Sequence, residues 1–227
     1  MTGTDPDEHV RRLAAESLAA DDPTGWFERL YAAAEEGEAV VPWNRGTPHR
    51  MLVEWARTRD LDGAGRRALV VGCGVGDDAE YVAAFGFGTV AFDVADTAVR
   101  TARRRFPDSD VQYLTADLLD PPAHWREAFD LVVESQTVQA LPHPPRREAI
   151  TRVGHMVRPG GTLVVIAAAR HEEDRPGQGP PWPLTRAEIE AFAAAGLRPV
   201  RIENVHDADR PTVRRWRAEF RRPERGQ

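Results

Sequence analysis

Short apolar runs alternate along this chain with segments in which apolar residues recur every three or four positions. The runs at 68–71, 89–93, 111–116, 129–134 and 162–166 have the length of strands buried on both faces. Strands that alternate with helical patterns in this way build a parallel, doubly wound α/β sheet. Upstream, residues 6–37 carry two helical patterns parted by Asp21-Asp-Pro23, and the second holds Trp26, Phe27, Leu30 and Tyr31. A loop at 39–48 joins them to a helix from His49 to Thr58, and 60–65 links that helix to the sheet.

Past the fifth run, 168–183 is polar and rich in proline and glycine. Thr185 and Glu188 then form a capping box, with Leu184 and Ile189 as a hydrophobic staple, so a helix starts there and stops at Gly196. Two strands, 198–205 and 212–220, close the sheet. In the second, Arg214, Trp216, Ala218 and Phe220 share one face and Arg215, Arg217 and Glu219 the other. Interrupted by Glu219, the arginines read as the face of an edge strand rather than as a stacking and basic patch for nucleic acid. The expected chain is a single domain of 227 residues, with a helical cover over 1–60 and a core over 66–227. That core is a seven-stranded sheet, mostly parallel, whose C-terminal hairpin supplies an antiparallel strand.

The first strand empties into a glycine turn, Ala68-Leu-Val-Val-Gly72-Cys-Gly74-Val-Gly76-Asp77-Asp78. Glycines at 72, 74 and 76 permit positive φ and let main chain approach a ligand without a Cβ in the way. The helix that follows, 77–85, points its free N–H groups at whatever lies over the turn. The second strand ends in Asp93, placed to accept from both hydroxyls of a ribose. These features suit an adenosine-containing cofactor, and NAD-binding domains share them. The third strand separates the cases. It runs into a turn headed by Asp117, whose carboxylate can accept from an exocyclic adenine amine while the Leu118 N–H reaches a ring nitrogen. The fourth ends in Glu134, and a Pro159-Gly-Gly161 turn feeds the fifth.

With these elements in order, 67–166 resembles the class I S-adenosylmethionine (SAM)-dependent methyltransferases. The resemblance implies a Rossmann-like fold and SAM as cofactor. It implies cofactor contacts from Gly72, Cys73, Gly74, Gly76, Asp93, Val94, Asp117, Leu118 and Glu134. Many members carry an acidic residue two positions before the first glycine, and here Val70 stands there, which removes one water-mediated contact to the methionine amine. Leu-Val-Val-Gly-Cys-Gly with Gly-Asp-Asp looks more like the thiopurine, thiol and halide methyltransferases. So do Gln139-Ala-Leu-Pro142 with Arg146 and Arg147, and Pro42-Trp43-Asn-Arg-Gly-Thr-Pro48. Members of that group cover the cofactor with an N-terminal tryptophan segment, a role that falls to Trp43; an ordinary core anchor is the other reading of that residue.

Composition narrows the function further. A net charge of −6 argues against a dedicated nucleic-acid binder. The polar start carries no signal-peptide core and no run approaches a membrane span, so neither nucleic acid nor membrane is an expected partner. The single cysteine fits a reducing cytoplasm, and as Cys73 it reads as a small filler contributing its backbone N–H. Among seven histidines none is spaced for a metal site. His143 follows strand four and His171 strand five, at the carboxyl edge, where either can take a proton from an acceptor; a solvated loop histidine is the plainer reading of each. Glu134 is expected to order the methionine end or the acceptor, with general-base duty a lesser role. Trp182 lies in a loop fit to line the acceptor pocket.

The expectation is methyl transfer from SAM to a heteroatom of a small molecule. The segment Glu134-Ser-Gln-Thr lacks the Asn-Pro-Pro-Tyr type of tetrad used by amino-methylating enzymes, which favours sulfur or oxygen over nitrogen. A SAM- or S-adenosylhomocysteine-binding partner protein without turnover is the alternative, and an NAD-dependent oxidoreductase the third reading.

Overall fold

In the computed structural model, residues 5–174, 177, 179–207, 212–224 and 226 are described. Three helices come first: α1 (Pro6–Ala19), α2 (Gly25–Glu35) and α3 (Arg50–Arg57). The nucleotide-binding half follows as β1 (Arg67–Val71), α4 (Asp77–Ala83), β2 (Gly88–Asp93), α5 (Asp96–Arg105) and β3 (Gln112–Thr115). Next come β4 (Phe129–Ser135), α6 (Pro145–Met156), β5 (Val157–Ala168) and α7 (Arg186–Glu190). The hairpin β6 (Arg198–His206) and β7 (Arg214–Arg221) ends the sheet.

The strands form one seven-stranded sheet in the order β3-β2-β1-β4-β5-β7-β6. Only β7 runs against its neighbours. Strand order reverses between β1 and β4, and the crevice outside their carboxyl ends is where open α/β sheets bind ligands.

Both faces of the sheet are apolar, as the unbroken runs require. Val71, Phe92, Val132 and Val165 face α6 and Trp125, while Val70, Ala91, Val133 and Ile166 face α3 and α4. Neighbours in register, such as Val70↔Val133 and Val133↔Val164, keep each set on its own side. A third cluster joins Leu13, Trp26, Leu30 and Tyr31 of the first two helices to Val75 in the glycine turn and Ala98 of α5. The N-terminal helices therefore cover the carboxyl edge. The expected capping box at Thr185 and Glu188 is formed, Leu184 and Ile189 are both buried, and Gly196 ends the helical stretch in a left-handed conformation.

One expectation is overturned. Strand β7 is not an edge: it lies between β5 and β6, paired from Thr162↔Arg221 to Ala168↔Arg215 on one side. Its apolar face, Trp216, Ala218 and Phe220, is buried in the core. The opposite face is covered by α3 and neutralised: Arg217 lies 3.3 Å from Glu54 and 3.0 Å from Glu203. Arg215 pairs with Asp207, and Trp55 Nε1 donates to Glu219 at 2.9 Å. Alternation alone does not tell a solvent-facing arginine from one whose carboxylate partner lies over 160 residues away. The edge position belongs to β6, whose exposed Arg198 and Arg201 guard it against pairing with another chain.

Candidate active site

The glycine turn after β1 is held open by its own chemistry. Gly72 and Gly76 take φ of +59° and +101°, left-handed values that an L side chain resists. A Cβ at Gly72 would meet the Thr137 hydroxyl oxygen at 2.2 Å, and one at Gly76 the Tyr113 hydroxyl at 2.5 Å. The Cys73 N–H is used within the fold, donating to the Phe92 carbonyl at 2.8 Å, and its buried thiol is pushed well up by desolvation. Cys73 therefore closes the turn against β2 rather than pointing its amide at a ligand.

Asp93 ends β2 beside that turn. Its Oδ2 accepts from the Gly74 N–H at 2.9 Å and its Oδ1 from the Ala95 N–H at 3.0 Å. Burial pushes its carboxyl up and these main-chain donors pull it back. Half-buried Val94 follows it. The Ala116 N–H donates to the Asp93 carbonyl at 3.0 Å, which brings Asp117 and the buried Leu118 to the same rim. Asp117 accepts from the Leu119 N–H at 2.8 Å.

Glu134, at the end of β4, is wholly buried on the α6 face of the sheet. Its Oε1 accepts from the Thr137 and Val138 N–H groups, each at 2.8 Å, while Oε2 has no partner among the described residues. Desolvation lifts its carboxyl to about 7. Thr137 in turn donates to the Val71 carbonyl at 3.0 Å and packs over Gly72. Glu134 thus holds the segment that holds the glycine turn.

Over the turn lies the N-terminal cover. The Tyr31 hydroxyl stands 2.9 Å from where a Cβ on Gly74 would be, and it accepts from Trp43 Nε1 at 2.9 Å. Burial, then the nearby Asp93 charge, push the Tyr31 phenol far up, so it stays neutral. Trp43 is one-third exposed, with Trp26 and Phe27 edge-on to it. It reaches the site through Tyr31. Glu28 fastens this cover to α5, accepting from the Thr97 N–H at 3.0 Å and hydroxyl at 2.5 Å.

The two candidate histidines lie elsewhere. His143 is exposed, with Nε2 3.1 Å from Glu188 Oε1, a carboxylate shared with buried Arg146. His171 is exposed, and its main-chain N–H donates to Asp174 at 2.9 Å. Both are tied to groups beyond β5. Trp182 donates its main-chain N–H to the Gln139 carbonyl at 2.8 Å and has Arg146 over its ring.

Two residues escaped the sequence reading. Asp78, in the first turn of α4, accepts from the His49 main-chain N–H at 2.6 Å and from the Ser135 hydroxyl, and burial raises its carboxyl. His49 caps α3, its Nδ1 accepting from the Met51 N–H at 3.2 Å. The other ring nitrogen, Nε2, is buried without a partner among the described residues, and desolvation with the Arg215 and Arg45 charges lowers the ring to about 4. The Asp77-Asp78 pair behind the last glycine was the one available signal. No local pattern announces a contact spanning 29 residues.

A methyltransferase-domain family model matches residues 68–161. A probable thiol methyltransferase 2 of Arabidopsis thaliana is 28% identical over 178 residues, covering 76% of this chain and 73% of that protein. A ubiquinone biosynthesis O-methyltransferase of Xanthomonas euvesicatoria pv. vesicatoria (strain 85-10) is 34% identical over 138 residues, covering 56% of each chain. The N-methyltransferase NodS from Bradyrhizobium japonicum WM9, solved with S-adenosylhomocysteine, superposes with a TM-score of 0.68 at 24% identity over 87% of this chain and 100% of that one. Residues 68–161 form a methyltransferase domain, and the enzyme is SAM-dependent.

The residues of this methyltransferase fit its cofactor, SAM. Asp78, Asp93 and Asp117 make the rim rich in acceptors, which suits a ligand that presents hydroxyls, amines and a sulfonium charge. The left-handed glycines keep side chains from filling the cradle. Among the described residues no three His, Cys, Asp or Glu gather as a metal site, and no helix is long and apolar enough to cross a membrane.

Proposed function

We propose that this methyltransferase methylates the sulfur of a small thiol. The observation that carries the reading is the character of the side chains around the glycine turn. They are buried carboxylates engaged by main-chain N–H groups and a histidine kept neutral, while the expected bases are exposed and lie elsewhere, His143 against Glu188 and His171 in a loop held through its main chain. A thiol titrates near 8.5, so a useful fraction is thiolate without a base; a hydroxyl acceptor needs one. The similarity to a thiol methyltransferase over three-quarters of both chains supports the same atom.

When bound, SAM supplies an electrophilic methyl group on a sulfonium cation. We assign Asp93 to the ribose hydroxyls, with Val94 beside it, and Asp117 with the Leu118 N–H to adenine. Gly72, Gly74 and Gly76 let the main chain approach, Cys73 fixes the turn, and Asp78 faces the methionine end. Tyr31 and Trp43 exclude water, which strengthens every charge inside. Glu134 positions the turn through Thr137. Bound SAM would supply its methyl group to the acceptor sulfur, with the Gly72–Gly76 turn, Asp93 and Asp78 holding the cofactor. The thiol proton goes to solvent. Holding the two partners in line supplies much of the rate.

Calorimetry with S-adenosylhomocysteine, with NADH as control, followed by methyl transfer to panels of small thiols, phenols and amines, tests this reading. Micromolar binding of the first alone and turnover on thiols are expected. Turnover on phenols or amines with none on thiols would refute the sulfur assignment. Binding without turnover on any acceptor would favour a SAM-binding partner protein.

A further inference from the structure

The glycine turn is also gripped by a side chain from the end of α5. Within the turn, main chain closes on main chain: the Gly76 N–H donates to the Cys73 carbonyl at 3.0 Å, and the Gly76 carbonyl accepts from the Glu80 N–H at 3.0 Å. The Val75 carbonyl is held differently. Among the described residues its one partner is Arg105, the last residue of α5, whose Nη1 donates to it at 2.6 Å across 30 residues of sequence. The same guanidinium forks onto Asp77, with Nη2 2.8 Å from Oδ1 and Nη1 3.1 Å from Oδ2. Its carbon lies 4.9 Å from the centre of the Phe106 ring, and Phe106 in turn reaches to 3.1 Å from where a Cβ on Gly76 would be.

These contacts fix one peptide plane. The Val75 carbonyl and the Gly76 N–H belong to the same planar group, held at one end by Arg105 and at the other by the Cys73 carbonyl. Glycine neighbours leave such a plane free to turn over, so the bond from Arg105 removes a freedom that Gly74 and Gly76 bring. The Val75 side chain is buried with Trp26, Leu30 and Tyr31 of the N-terminal cover. A rotated plane would therefore move both the main chain of the turn and the seat of its cover. Arginine suits the task, because its rigid fork serves a carbonyl and a carboxylate at once in set directions, whereas a lysine is a single mobile point charge.

We propose that Arg105 is a positioning residue for the cofactor, holding the Val75–Gly76 peptide in the orientation that SAM meets and acting through the Val75 carbonyl. This role rests on the glycine turn being the cofactor cradle.

Calorimetric titration of the full chain with S-adenosylhomocysteine, beside urea unfolding, tests it. Arg105→Met keeps an unbranched stem over Phe106 and removes every donor; Arg105→Gln is polar but too short for the carbonyl. Both change a partly exposed side chain at a helix end, and both should bind about five- to tenfold more weakly than wild type. The KM for SAM should rise by the same factor, with kcat at saturating SAM within about twofold of wild type. Arg105→Lys keeps one donor and should recover roughly half of the loss. Asp77→Asn breaks the ion pair, leaves the Val75 bond and should bind within about twofold of wild type. Wild-type affinity in folded Arg105→Met and Arg105→Gln overturns the proposal. So does an equal loss in Asp77→Asn, which assigns the effect to the ion pair. Loss of binding in Gly72→Ala with wild-type affinity in both Arg105 variants keeps the cradle and refutes the role of Arg105. Wild-type affinity in Gly72→Ala as well refutes the cradle itself.

Discussion

The two flanks of the carboxyl edge are built by different means. Around the glycine turn, carboxylates grip main-chain N–H groups no more than 19 residues away: Asp93 holds Gly74 and Ala95, and Asp117 holds Leu119. On the flank formed by α3 and the β6–β7 hairpin, side chains grip side chains across most of the chain. Trp55 reaches Glu219, Arg59 reaches the same carboxylate, and Glu54 reaches Arg217, at separations of 160–164 residues. A platform whose donors are backbone tolerates few changes of residue, since each glycine and carboxylate is set by chain geometry. A network of paired side chains can exchange members while the fold stands. The proposed cofactor contacts lie on the first kind of surface.

The sharpest way to break that contrast is to put a methyl group on the platform. Gly72→Ala combines a left-handed alanine with a Cβ that collides with Thr137. We expect a loss of about 2–4 kcal/mol in stability by chemical denaturation and more than roughly a hundredfold in S-adenosylhomocysteine affinity. A variant that binds normally would mean the turn is not the cofactor cradle. Asp93→Ala comes next, with at least about a tenfold loss of affinity, or ~1.4 kcal/mol. Two buried N–H groups also lose their acceptor, so stability should fall with it. An unchanged affinity would remove the ribose assignment. Glu219→Leu strikes the other flank: Trp55 Nε1 and Arg59 lose their shared partner, at about 1–3 kcal/mol of stability. Calorimetry should find its affinity for S-adenosylhomocysteine within about twofold of wild type. A drop as large as that of Asp93→Ala would erase the distinction between the flanks.

The same difference decides what could be read from the sequence. Strands β1 to β5, the glycine turn, and Asp93 and Asp117 at the strand ends are local patterns, and they stand in the structure where the spacing puts them. The capping box at Thr185 is equally local. The other flank depends on which distant residue arrives beside which, and no period encodes that. Hence β7 was placed at the edge from its arginines, although Glu54 and Glu203 neutralise Arg217 inside the sheet. Hence also the histidines that draw notice, His143 and His171, are those following a strand, while half-buried His49 stands in front of a helix. Charge was visible in each case. Burial was not.

The smallest effect expected in the wild type is a pH dependence in which the two flanks oppose each other. Glu134 has its carboxyl raised from 4.5 to about 7 by burial. The folded protein therefore binds more protons than the unfolded chain between these values, and stability falls as pH rises through them. At about 1.4 kcal/mol per unit that is a loss on the order of 3 kcal/mol. His49 does the reverse: lowered from 6.5 to about 4, it is uncharged in the folded state where the unfolded chain would be charged. Its contribution is present above 6.5 and is lost as pH falls toward 4. Over the shared window the two slopes offset, so the contribution of this pair to wild-type stability should be nearly level there. Relative to wild type, Glu134→Gln should gain a slope that rises with pH, and His49→Asn one that falls with pH. Urea unfolding from pH 4 to 8 reads all three. If either variant runs parallel to wild type across that range, the group it removes does not keep its burial-shifted protonation in the native protein.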